Sequence, residues 1–378
     1  MNERFKLAGF TAVGMLMLAS VMTGLSASLL EIASEFEIAP SRAGILYTLH
    51  FSGFLGLILV SLAVHGLPAR LRLVIVVAWL YALALFIAGG SNGFLFLAVA
   101  LFLAGGAGGV VEAHTATLMV MTTKDESEAG RLISLTQAFF AVGALLTPVY
   151  LAMGSSLGAS WRTLFLILGI VGIAGALIGV TMRARRFVFA HTEVGTFRWR
   201  PLVKVSVAIA CYVGAEVTIF GWAPTVMELY HGVPVSRARL APTLFWIGML
   251  GGRIVIAALT RRFTAEKLLR VSALLGVASA VMLVVVSTEP LLWVAVALSS
   301  IACAGIWPLI VATSGETGHE TGTTIIVAAG GLGAAIFPYL AGRISEVLPG
   351  HFILLMAAPL LLAVFFLMGS KSSQVPLR

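Results

Sequence analysis

The sequence predicts an all-α membrane protein with twelve transmembrane helices arranged in two six-helix bundles. Of the 378 residues, 60% are apolar and only 11% are charged, whereas a soluble globular domain carries about 25% charged residues. So few charges could not cover a water-facing surface of this size. Lipid is therefore the predicted solvent around most of the protein, and a soluble enzyme is excluded.

Twelve apolar runs are long enough to cross a bilayer, since a spanning helix needs about 20 mainly apolar residues. They cover approximately 5–30, 44–64, 71–89, 93–121, 131–154, 161–182, 203–229, 239–260, 268–286, 290–312, 321–345 and 351–369. The longest gap follows the sixth run and is basic. The predicted organisation is a first bundle over 1–182, a basic connector over 183–202 and a second bundle over 203–378.

The net charge of +8 does not indicate a nucleic-acid partner, because the basic residues lie in short gaps between the runs. With the N-terminus inside, eighteen of the 24 Lys and Arg residues fall inside and only five fall outside. Basic residues resist translocation, so both termini are expected in the cytoplasm. The expected location is a bacterial inner (plasma) membrane.

Glycines within the runs predict close helix packing, for which Gly105-Gly-Ala-Gly-Gly109 in the fourth run is the best candidate. No metal-binding spacing, cofactor motif or paired nucleophile is found, so neither a metal nor a cofactor is expected. The two cysteines, Cys211 and Cys303, lie in apolar runs and exclude a disulfide framework.

Two carboxylates lie near the middle of apolar runs, Glu112 in the fourth and Glu216 in the seventh. An ionisable group at membrane depth is costly and marks a candidate functional site. A carboxyl group shielded from water retains a proton near neutral pH and releases it when water arrives. Both residues are therefore predicted to bind substrate or couple protons, with sodium as an alternative ion and structural pairing as the alternative role.

Other predicted substrate or coupling residues surround these two acids in sequence or share their chemistry. Tyr212 lies one turn before Glu216 on the same helix face, while Trp222 lies on roughly the opposite side. Aromatic and amide side chains in other runs are predicted to line the same site, or else to face the core or lipid: Gln137, Phe140 and Trp307.

Two further titratable residues are candidate coupling residues, and for each a structural or solvated role is the alternative. Glu31 ends the first run and is either a coupling acid or a solvated residue beside Glu35 and Glu37. His114 is two residues from Glu112 and is either a proton relay or a structural histidine.

Gating or structural roles are predicted for one arginine and two prolines. Arg253 lies inside the eighth run, where it would pair with an acid, reach the interface or contact an anionic substrate. Pro148 and Pro338 lie in the fifth and eleventh runs, where proline permits bending.

Local sequences in four runs resemble the major facilitator superfamily, in particular the branch of fucose–galactose–glucose proton symporters. They are Gly106-Ala-Gly-Gly-Val-Val-Glu112, Gln137-Ala-Phe-Phe-Ala-Val-Gly143-Ala-Leu-Leu-Thr-Pro148, Tyr212-Val-Gly214-Ala-Glu216, and Gly330-Gly-Leu-Gly333 with Pro338. The resemblance implies a monomeric transporter that moves a small polar, sugar-like solute with protons by alternating access. It also implies a coupling and sugar-contacting role for Glu112.

The chain departs from the family pattern at two places. Ala116 stands where the fucose-permease pattern has an asparagine, and the loop from Gly66 to Arg72 lacks the usual acid. Two alternatives therefore remain: an exporter of amphipathic drugs or lipids, and a membrane scaffold or receptor that transports nothing.

Overall fold

The computed structural model describes residues 3–122, 126–154, 158–182, 199–314 and 320–369, and these residues form helices and connecting turns without a strand. The helices are α1 (Glu3–Glu35), α2 (Pro40–Ala43), α3 (Ile45–Ser61), α4 (Leu67–Gly89), α5 (Phe94–Thr122), α6 (Glu126–Ala152), α7 (Trp161–Val180), α8 (Trp199–His231), α9 (Val235–Ala238), α10 (Ala241–Leu259), α11 (Ala265–Val285), α12 (Glu289–Cys303), α13 (Ile306–Ser314), α14 (Glu320–Ile344), a 3-10 helix (Gly350–Met356) and α15 (Ala357–Gly369).

Twelve helical segments of the described chain are long and apolar enough to cross a membrane, as the sequence predicts. Their outer faces expose large apolar side chains such as Leu95, Ile254 and Phe366. Because such faces are stable in lipid and not in water, the chain is an integral membrane protein. The predicted basic connector lies largely outside the described residues.

The tenth predicted run is interrupted near its middle. There α12 ends at Cys303 and α13 begins at Ile306. Pro308 explains the break. Proline has no backbone N–H group, so it cannot donate a hydrogen bond to the carbonyl group four residues earlier, and its ring clashes with that group. That carbonyl group belongs to Ala304. The predicted span over 290–312 is therefore confirmed as one membrane-crossing segment, which is made of two helices.

Glycines allow α3 and α5 to pack with their backbones in contact, which confirms the predicted packing role of the Gly105–Gly109 segment. A Cβ atom on Gly105 would overlap the carbonyl oxygen of His50, and one on Gly53 would overlap that of Phe102. Only residues without a side chain fit at such positions.

Replacing Gly53 with alanine is expected to lower thermal stability, because the added methyl group meets the backbone of α5. Overpacking of this kind costs about 1–3 kcal/mol. Gly56→Ala is a matched control on the same helix, since nothing surrounds a Cβ atom at Gly56. Thermal unfolding in detergent should show a lower midpoint for Gly53→Ala alone, and equal midpoints would contradict the packing described above.

An internal repeat relates the two halves of the chain. Gly143-Ala-Leu-Leu-Thr-Pro148 in α6 matches Gly333-Ala-Ala-Ile-Phe-Pro338 in α14. The two leading glycines occupy equivalent contacts: a Cβ atom on Gly143 would overlap the backbone of Leu16 in α1, and one on Gly333 the backbone of Ala210 in α8. Corresponding helices therefore pack in the same way in each half.

The halves are held together near one end of the molecule. Two equivalent hydrogen bonds join them: Thr48 Oγ1 donates to the Ala335 carbonyl oxygen at 2.6 Å, and Thr243 Oγ1 donates to the Leu145 carbonyl oxygen at 3.0 Å. These bonds lie toward the end at which α1 finishes and α3 starts. We call this end the closed end, and the opposite end, at which α1 starts, the open end.

Candidate functional site

A cavity of about 720 Å³ lies between the two halves. Its walls come from α1, α3, α5 and α6 of the first half and from α8, α10, α13 and α14 of the second. Thr260, which follows α10 at the open end, also lines it and is exposed. The cavity therefore runs from the middle of the molecule toward the open end.

The two predicted membrane-depth acids line this one cavity, although they belong to different halves. Glu112 reaches it from α5 and Glu216 from α8, and both side chains are half-buried. Gln137, Phe140 and Trp307 also line it. Together with Tyr212, which lines the same cavity, the structure therefore brings together six of the predicted substrate or coupling residues.

Each acid has polar neighbours at short range. Tyr212 and Arg253 line the cavity in the neighbourhood of Glu216. Glu112 lies near the Tyr81 hydroxyl group, which has no hydrogen-bond partner among the described atoms. Arg253 is exposed and forms no ion pair with a described residue, so its pairing with Glu216 stays a prediction.

Aromatic rings close the cavity on the side of the closed end. Trp246 of α10 contacts Phe140 of α6 edge to face, with ring centroids 5.1 Å apart, and lies 5.9 Å from Phe220 of α8. The contact between Trp246 and Phe140 crosses the boundary between the halves. The Trp246 indole N–H group is buried and has no hydrogen-bond partner among the described residues.

The break between α12 and α13 also lies at the cavity. Ala304, Trp307 and Pro308 all line it. A discontinuous helix at membrane depth leaves backbone carbonyl groups without intrahelical partners, and such groups can hold a substrate or an ion. Pro308 permits bending of the tenth run, but the sequence did not predict a break in the helix at this position.

Between the cavity and the closed end, the halves form a seal of buried polar contacts. Ser26 Oγ donates to the Phe220 carbonyl oxygen at 2.7 Å, and Tyr47 Oη donates to the Gly221 carbonyl oxygen at 3.0 Å. Ser26 lies about 14 Å before the end of α1, at a rise of about 1.5 Å per residue. The seal is therefore thick enough to separate the cavity from the closed end.

Two sequence-predicted site residues belong to this seal and do not line the cavity. Glu31 accepts an ion-paired hydrogen bond of 2.7 Å from Arg239, whose other terminal nitrogen donates to the Leu151 carbonyl oxygen. Trp222 is fully buried, and Nε1 donates to the Pro338 carbonyl oxygen at 2.8 Å. The prediction of Trp222 as a substrate contact is corrected accordingly, because its ring fills the space beside Gly44 across the boundary.

The remaining predicted residues have structural surroundings. His114 is buried, and its Nε2 atom lies 2.8 Å from Ser61 Oγ rather than at the cavity. Pro148 lies inside α6 and Pro338 inside α14. Arg239 was not nominated as a site residue, and the only sequence signal for it was its place among the few basic residues assigned to the outside.

The two six-helix halves enclose a cavity that is sealed at one end and reaches toward the other, an architecture found in secondary transporters. The Major Facilitator Superfamily profile matches residues 9–338. The chain belongs to this superfamily.

Among sequence relatives, a glucose/galactose transporter of Brucella abortus biovar 1 (strain 9-941) is 26% identical over 274 residues, which is 66% of this chain. This chain spans 65% of the length of that curated relative. The match agrees with the branch of the superfamily that the sequence motifs resemble.

Solved structures of superfamily members share the fold along almost the whole chain. A bacterial homologue of the human lysosomal transporter Spinster, in an inward-facing and unoccupied conformation, has a TM-score of 0.70 and 15% identity, with 97% of this chain and 94% of that chain covered. FucP in the outward conformation has a TM-score of 0.64 and 17% identity, with 96% and 99% covered. At these identities the likeness concerns the fold alone.

Proposed function

We propose that this protein is a secondary active transporter that moves a small polar solute, with hexoses as the first candidates, together with protons by alternating access. The observation that carries the proposal is the position of Glu112 and Glu216, one acid from each half, on a single cavity sealed at one end. The glucose/galactose transporter relative supports hexoses as the first substrates to test.

The proposed coupling uses the cost of burying charge. A carboxylate in an enclosed cavity must be neutralised by a proton or by a cation before water leaves. Arg253, beside Glu216, would hold the carboxylate while the cavity is wet, and protonation would release this arginine. The long arginine side chain could then carry its charge toward the interface, and the halves could close over neutral carboxyl groups and open on the other side.

The proposed orientation has both termini in the cytoplasm of a bacterial cell, with the protein in the inner membrane and active as a monomer. The open end is the end at which α1 begins, so in this orientation the cavity faces the cytoplasm. Sodium is the alternative coupling ion, because a carboxylate can bind either cation.

Flux into proteoliposomes tests this proposal. Labelled glucose and galactose should accumulate when a pH gradient is imposed, and a protonophore should abolish the accumulation. Replacing sodium with potassium should have no effect. Accumulation that requires sodium would identify sodium, and not the proton, as the coupling ion. Absence of hexose flux under every gradient would exclude hexoses as the substrate.

A second candidate is the export of amphipathic compounds. It is favoured by the many apolar rings on the cavity wall, among them Phe51, Phe54, Phe220 and Trp246, and by alanine at position 116 where the sugar pattern has an amide. Thermal stabilisation by hydrophobic cations but not by hexoses would favour this candidate. A non-transporting scaffold or receptor would show no flux of either class.

A further inference from the structure

The helices α6 and α10 meet at the closed end and separate toward the open end. At the closed end, Thr243 of α10 is hydrogen-bonded to the Leu145 carbonyl group of α6. Two helical turns further toward the open end, the same sides of these helices carry Leu250 and Ala138. Leu250 is 49% exposed, and Ala138 is also exposed. The two facing sides therefore do not bury each other at this level.

The equivalent helix pair on the opposite side of the molecule stays together. Thr48 of α3 is hydrogen-bonded to the Ala335 carbonyl group of α14. Two turns further along, Ala328 is only 4% exposed and Leu55 packs against the core. A Cβ atom on Gly331 would contact Phe54 of α3. The separation is thus specific to α6 and α10.

The gap between α6 and α10, which we call the lateral slot, joins the cavity to the lipid-facing surface. Gln137 and Arg253 line the cavity at its inner edge. Val142 and Ile254, on the outer faces of the same helices, are 40% and 67% exposed. Because Leu250 and Ala138 between these faces are exposed, no buried strip of side chains closes the slot.

One end of the lateral slot is cationic and its walls are apolar. Arg253 forms no ion pair within the described part of the chain, and it lies about 9 Å inside the end of α10 at Leu259. A long arginine side chain can lie along apolar surface and bring its charge toward the membrane interface. Arg261 and Arg262, both exposed, follow at that interface.

We propose that an anionic phospholipid of the surrounding bilayer occupies the lateral slot, with its head group at Arg253 and an acyl chain extending toward Trp246. Trp246 lies two turns from Arg253 on the same face of α10, at the top of the slot. Charge complementarity selects the head group, since basic groups between membrane helices bind anionic lipid heads. The proposal concerns a lipid partner and does not depend on which solute is transported.

Tryptophan quenching by brominated lipids tests the proposal. The full-length protein is reconstituted with phosphatidylglycerol or phosphatidylcholine brominated on the acyl chain. The contribution of Trp246 is the quenching lost in Trp246→Phe. We expect phosphatidylglycerol to reach half-maximal quenching of Trp246 at a mole fraction about fivefold lower than phosphatidylcholine does. One basic residue near the surface raises the affinity for an anionic lipid by about that factor.

Two variants assign the head-group site. Arg253→Gln should remove the preference for phosphatidylglycerol, whereas Arg261→Gln, the matched control at the interface, should retain most of it. Equal quenching by both lipids in the unmodified protein would overturn the role of Arg253, and absence of Trp246-dependent quenching would show that no acyl chain enters. Displacement of the lipid by soluble glycerol 3-phosphate would instead indicate a site for free anions.

Discussion

Replacing Glu216 with glutamine is expected to reduce gradient-driven accumulation of the solute to the level of protein-free vesicles, and Glu112→Gln is expected to do the same. Glutamine has nearly the size of a protonated glutamate but cannot take up or release a proton. The halves should therefore still exchange, because the replaced position is always neutral and needs no proton before closure. Exchange of labelled for unlabelled solute without a gradient should persist while uphill accumulation is lost.

The control for these two variants is an acid outside the cavity. Glu266 forms an exposed ion pair of 2.8 Å with Arg270 one turn away on α11, and such pairs contribute little to stability. Glu266→Gln should therefore accumulate solute normally. Circular dichroism and size-exclusion profiles should show that all three variants are folded. Normal accumulation by both cavity variants would refute the assignment of the two acids as coupling residues.

The acids of the cavity could be found from the sequence because the relevant information is local. A charged residue within an apolar run stands out by itself, and membrane depth alone makes it a functional candidate. The twelve spans could be predicted for the same reason, since the length and composition of each run are sufficient. That Glu112 and Glu216 line one cavity required the resemblance to a known family or the structure itself.

Features that depend on contacts between distant segments could not be predicted. Glu31 and Arg239 are far apart in the chain, and no local pattern indicates that Arg239 crosses to the other half. Trp222 was correctly placed away from Tyr212 and Glu216 on its own helix, but a single helix does not reveal which neighbour lies opposite. Its position beside Gly44 follows from tertiary packing.

The repeated Gly-Ala segment predicts part of the helix packing, but not all of it. Gly143 and Gly333 indicate equivalent close contacts, and these contacts are found in both halves. The sequence repeat does not indicate that α3 stays against α14 while α6 separates from α10. That difference arises farther along the helices, where Ala138 and Ala328 are identical residues with different exposure.

Breaking the ion pair between Glu31 and Arg239 is expected to favour the alternative conformation, in which the seal is open and the cavity reaches the end that is closed in this structure. This pair joins the halves in the seal and is partly buried, with side-chain exposures of 29% and 13%. A hydrogen bond to a charged group contributes about 1.5–3 kcal/mol, which corresponds to a shift of about tenfold to a hundredfold in the equilibrium between the two conformations. Arg239→Gln should have the larger effect, because it also removes the bond to the Leu151 carbonyl group.

Distances between spin labels on the two halves measure this shift. Cysteines replacing Asn92 and Val347, both exposed near the closed end, would carry the labels in a background without Cys211 and Cys303. Glu31→Gln should increase the population with the longer label distance.

The matched control for Glu31→Gln is Glu35→Gln, which removes an ion pair of 2.6 Å with Arg162 inside the first half at the same end. It should lower thermal stability without changing the distance distribution, because the hydrogen bonds and the ion pair of Glu35 and Arg162 all lie within the first half. The same shift in both variants would mean that general loss of negative charge opens the protein. No shift in either would mean that the Glu31–Arg239 pair does not hold the seal, and the closed end would then depend on the hydrogen bonds of Ser26, Tyr47, Thr48 and Thr243.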